Sequence, residues 1–124
     1  MTGVSRSLGL WLLITLLVAA APGEALAKRV ALIIGNSAYT HVAELPNPKN
    51  DAADMAVKLE SLGFEVVSGV DLDLTAMRGT VRDFIKRLEG AELALFYYAG
   101  HGLQVEGVNY MAPVDARLES IDDL

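Results

Sequence analysis

Three short apolar runs alternate with two stretches of helical periodicity, and this alternation restricts the folds open to the chain. Arg29–Asn36 reads RVALIIGN, Phe64–Val70 reads FEVVSGV and Ala91–Tyr98 reads AELALFYY. The first and third are almost continuously apolar, which suits strands covered on both faces, as in a parallel sheet. A helix is expected between the first two runs, from Asn47 or Asn50 as N-cap to Leu62. Its apolar positions Ala52, Met55, Leu59 and Leu62 have helical spacing, and Gly63 stops it. Asp73 can cap a second helix with Met77, Val81, Phe84 and Leu88 as its buried stripe. Gly79 weakens that helix by about 1 kcal/mol relative to alanine, and Gly90 ends it. LQVEGVNYMAP (Leu103–Pro113) reads as a hairpin turning at Glu106-Gly107. Strands alternating with amphipathic helices build a parallel sheet with right-handed crossovers and helices on its faces.

In such sheets ligands sit outside the carboxyl ends of the strands. His101 lies just past the end of the third strand, in FYYAGHG (Phe96–Gly102), and Gly35-Asn36-Ser37 lies past the end of the first. The two loops are expected to face one edge. Histidine can take and give a proton near neutral pH, and the flanking Gly100 and Gly102 leave room beside its ring. The Gly102 N–H could point at a developing oxyanion. Position alone also allows a surface histidine with no role. Asn36 and Ser37 could line the cleft or simply make the turn. Tyr97 and Tyr98 are expected to pack in the core with satisfied hydroxyls. Asp71 and Asp73 read as turn and cap residues, and His41 as a solvated loop histidine. Nothing in the spacing of His41, His101 and nearby carboxylates suggests a metal site. GxGxxG is absent, so no dinucleotide cofactor is expected.

The N-terminus reads differently. Arg6 precedes the apolar block Leu8–Ala21, and Ala25-Leu26-Ala27 follows as an A-x-A site. The block is short of the roughly 20 residues a membrane-spanning helix needs, and the pattern is that of a cleavable secretory signal. The expectation is cleavage after Ala27, an exported mature domain from residue 28 to 124, and no stable membrane insertion afterwards. A retained anchor or a buried helix is the competing reading. Removing residues 1–27 takes one Arg and one Glu, leaving the net charge at −6. That acidic balance argues against nucleic acid as a partner, because phosphate binding needs clustered Lys and Arg. The chain has no cysteine, so stability comes from a packed core. It ends at LESIDDL without a closing cap or strand, which reads as a truncation.

RVALIIGNSAY, LPNPKNDAADMAVKLESLGFEV, LALFYYAGHG and NYMAPVDA, in this order, resemble the large-subunit region of the caspase family. The match is closest to its metacaspase-like and bacterial caspase-like peptidases. The resemblance implies a three-layer α/β/α sandwich and a cysteine endopeptidase acting on peptide or protein substrates. It makes His101 the general base of a Cys–His dyad and Gly102 an oxyanion donor. Asp51 resembles the carboxylate of a pocket selecting Arg or Lys; helix-start electrostatics would account for it equally well. Leu45–Ala53 contains no arginine, which argues against cleavage after aspartate. Pro48 stands near where related sequences often carry a cysteine. The family's histidine precedes its cysteine by about 50 residues, which places the nucleophile past Leu124. A non-catalytic caspase-like binding module is a second reading. A flavodoxin-like domain is a third, supported by the layout alone.

Overall fold

A computed structural model describes residues 26–119; the expected signal segment lies almost wholly outside them. Among the described residues no helix is long and apolar enough to cross a membrane. The elements follow the order read from the sequence. Strand β1 is Arg29–Gly35, helix α1 Pro48–Ser61, strand β2 Glu65–Val70, helix α2 Leu74–Arg87 and strand β3 Leu93–Ala99. The hairpin strands β4 (Gly102–Val105) and β5 (Val108–Met111) complete the set.

The main sheet has the order β2-β1-β3 and is wholly parallel. Its central strand explains its own sequence. Ala31 and Ile33 face α1 and pack with Ala52 and Leu59, while Leu32 and Ile34 face α2 and pack with Val67 and Met77. With both faces covered, every position of this strand after the partly exposed Arg29 is buried and apolar, hence the unbroken VALIIG. Ile33 and Ile34 are fully buried; truncating either to alanine would cost about 2–5 kcal/mol. Helix, sheet and helix form the three layers.

The element boundaries show where local chemistry acts. Asn47 is the N-cap of α1, yet its side chain makes no cap bond. Ser37 supplies the missing acceptor from the loop after β1, its Oγ taking the Lys49 N–H at 3.1 Å. Asp73 caps α2 as expected, accepting from Ala76 N–H at 2.7 Å. Leu62, expected in the buried stripe of α1, is half exposed, because the helix ends at Ser61 and the chain turns through Gly63. The hairpin turns at Glu106-Gly107, both with positive φ, the twist a two-residue hairpin loop requires.

β1 and β3 end level, with Gly35 opposite Ala99, and Asn36 N–H donates to the Ala99 carbonyl at 2.8 Å. The loops after β1 and β3 therefore leave the same edge together, as the sequence implied.

Candidate active site

β3 delivers Ala99, Gly100 and His101 to that edge, and the backbone of His101 is held from two sides. Its N–H donates to the Tyr39 hydroxyl at 2.8 Å. Its carbonyl accepts from the Tyr98 hydroxyl at 2.6 Å and from Ala112 N–H at 3.0 Å. Tyr39 also stands edge-on to the imidazole, with ring centroids 4.5 Å apart. Gly100 makes the approach possible. A Cβ there would lie 2.6 Å from both tyrosine hydroxyls.

The imidazole Nε2 lies 2.7 Å from the Ala43 carbonyl oxygen. A carbonyl can only accept, so Nε2 carries a proton, and in the neutral ring Nδ1 is the nitrogen that bears the lone pair. The orientation of the His101 ring is thereby set. The neighbouring amide is defined as well. Ala112 N–H donates to His101 O, so Gly102 and Met111 face each other as a non-hydrogen-bonded pair. The Gly102 N–H consequently points away from β5, free of the hairpin ladder. A concavity of about 360 Å³ adjoins it, lined in part by Tyr98, Gly100, Gly102, Leu103 and Tyr110. A larger groove of about 400 Å³ between α2 and β5 contains no residue of the histidine loop.

The other expected site residues are placed as follows. Asn36 is completely buried; its Nδ2 donates to Ala112 O at 3.1 Å and its Oδ1 accepts from Leu72 N–H at 2.9 Å. It lies beneath the edge, holding neighbouring loops, with no surface of its own. Ser37 is 5 % exposed and lines a depression of about 240 Å³ with Glu44, Leu45, Pro46 and Lys49. Asp51 is exposed on the first turn of α1. The loop from Ser37 to Asn47 connects these places, capping α1 at one end and meeting His101 through Ala43. Tyr97 packs on the α1 face and Tyr98 on the α2 face, with the Tyr98 hydroxyl satisfied.

Three participants escaped the sequence reading. Tyr39 sat in an irregular loop, where only its aromatic character could have flagged it. Ala43 acts through its carbonyl and leaves no side-chain signal. Asp71 looked like an ordinary turn residue, but its Oδ1 accepts from both Ser37 N–H (2.7 Å) and Ala38 N–H (2.9 Å). It thereby ties the end of β2 to the loop after β1.

The parallel α/β sandwich thus presents at one edge a glycine-flanked histidine with one ring nitrogen held by a backbone carbonyl. Residues 28–124 match the caspase domain, Peptidase C14, and the chain belongs to that family. It is 42% identical over 94 residues to human Mucosa-associated lymphoid tissue lymphoma translocation protein 1, covering 75% of this chain and 11% of that protein. The mouse homolog is 41% identical over 95 residues, with 76% and 11% covered. The chain thus spans about a tenth of the length of these relatives. The likeness supports the family and not specifically its metacaspase-like or bacterial branches. Family membership also displaces the flavodoxin-like alternative.

Proposed function

We propose that this chain carries the histidine half of a Cys–His endopeptidase of the caspase family, the thiol being supplied by polypeptide following Leu124. The observation that carries the reading is the Nε2 contact to Ala43 O, which leaves Nδ1 as a base. Nδ1 would take the thiol proton as the sulfur attacks the peptide carbonyl carbon. The resulting oxyanion would accept from Gly102 N–H. Nδ1–H would then protonate the leaving amine as the C–N bond breaks, and water would release the acyl group from sulfur. Among the described residues β3 is paired on one side only, and Leu93 and Phe96 are half exposed. This leaves room for a further strand beside His101.

Cleavage after Arg or Lys, with Asp51 as the selecting carboxylate and Ser37 at the cleft, belongs to the same proposal. So does export through the segment 1–27. The absence of cysteine from all 124 residues favours one alternative, a caspase-like module that binds peptides without cutting them. The coding sequence after Leu124 separates the two. An in-frame cysteine codon following an apolar run, about 50 codons past His101, supports the peptidase. A stop codon there, or an apolar run without cysteine, transfers the case to the binding module.

A further inference from the structure

The tyrosine hydroxyls at His101 are arranged more tightly than core packing requires. Three acceptors surround the Tyr98 hydroxyl, namely His101 O at 2.6 Å, Ala112 O at 3.0 Å and Tyr39 Oη at 3.2 Å. It has one proton, and the shortest contact takes it. Tyr39 Oη receives the His101 N–H, so its own proton is left for Ala112 O or Tyr98 Oη, each 3.2 Å away. Every group in this set is satisfied, and both peptide groups of His101 end on a tyrosine.

We infer that Tyr39 and Tyr98 form a hydroxyl clamp on the His101 backbone, acting as positioning residues for the imidazole. The clamp holds the Cα–Cβ direction of His101 while the Tyr39 ring edge limits the swing of its side chain. The imidazole is thereby presented to Ala43 O with Nδ1 outward. Gly100 is part of the device, because any side chain there would enter the space of both hydroxyls. Burial raises the Tyr98 phenol well above its ordinary range, so it remains a donor at any working pH. The catalytic consequence rests on the peptidase reading; the clamp itself does not.

The test has two arms. In the first, amide hydrogen exchange is followed in the full chain for wild type and Tyr39→Phe. The His101 amide should exchange about tenfold faster in the variant, with Ile33 N–H in β1 unchanged. An unaltered His101 rate, or a rise shared with Ile33, overturns the clamp. In the second, Tyr39→Phe and Tyr98→Phe are assayed in the protein that includes the thiol. Each should lower kcat by roughly 10- to 100-fold with KM within about twofold. Tyr97→Phe, whose ring packs on the α1 face, should behave as wild type. Unchanged kcat in both clamp variants overturns the positioning role. If wild type itself cleaves nothing, the peptidase reading fails and the exchange arm alone decides the clamp.

Discussion

His101 meets Ala43 through a ring nitrogen and a backbone carbonyl, 2.7 Å apart, so the tautomer of the imidazole depends on the shape of a loop. Ala43→Gly keeps that carbonyl but frees the loop backbone, at about 0.4–1 kcal/mol. The expected outcome in the active protein is a two- to fivefold lower kcat, roughly what that free energy corresponds to, with peptide affinity unchanged. Steady-state kinetics read both quantities. An unchanged kcat would show that loop rigidity does not limit the reaction.

Asn36 should matter to stability before it matters to substrate. Its carboxamide satisfies Leu72 N–H and Ala112 O inside the fold. Asn36→Ala leaves Leu72 N–H without that partner, at roughly 1–3 kcal/mol, while Ala112 O can still accept from the Tyr39 hydroxyl. A lower urea midpoint with an unchanged slope is the expected result. A variant as stable as wild type would place that N–H in contact with water.

Gly35 ends β1 under the first turn of α1, where a Cβ would lie 2.5 Å from Pro48 O and 2.5 Å from Ala52 Cβ. One partner is backbone and the other a core methyl, so neither can swing aside. Gly35→Ala should lose about 1–3 kcal/mol, seen as a fall in Tm. Equal Tm values would mean that α1 can shift without penalty.

The raised Tyr98 phenol predicts an alkaline loss of stability. Unfolded tyrosine ionises near pH 10, while folded Tyr98 holds its proton to higher pH because it is buried and bonded to Tyr39. Its contribution is complete below pH ~10 and declines above it, as the unfolded state alone releases its proton. Urea midpoints measured from pH 8 to 11 should fall less steeply for Tyr98→Phe than for wild type. Parallel curves would contradict this.

The layered fold was legible because burial on two faces leaves a mark on every residue of β1 from Val30 onward, and one-faced burial marks α2 at every third or fourth position. The histidine was legible because glycines on both sides clear a space that a passive surface histidine does not need. The rest of the site is made from atoms that side-chain identity does not report. Ala43 contributes a carbonyl, Ser37 caps a helix that begins a whole loop later, and Tyr39 reaches His101 from an irregular segment. For Asn36 the sequence left open whether it lines the cleft or makes the turn, and its carboxamide takes the place of the backbone partners that two loops lack at the sheet edge.

The central claim is that the Nδ1 of His101 is the base of a peptidase. The most direct measurement is turnover of Arg- and Lys-containing peptides by the protein extending past Leu124, wild type against His101→Ala. The account predicts hydrolysis that a thiol-alkylating reagent abolishes, and a loss of about 10²–10⁴-fold in kcat in the variant, the contribution of a positioned base. Hydrolysis that survives His101→Ala undiminished would contradict it.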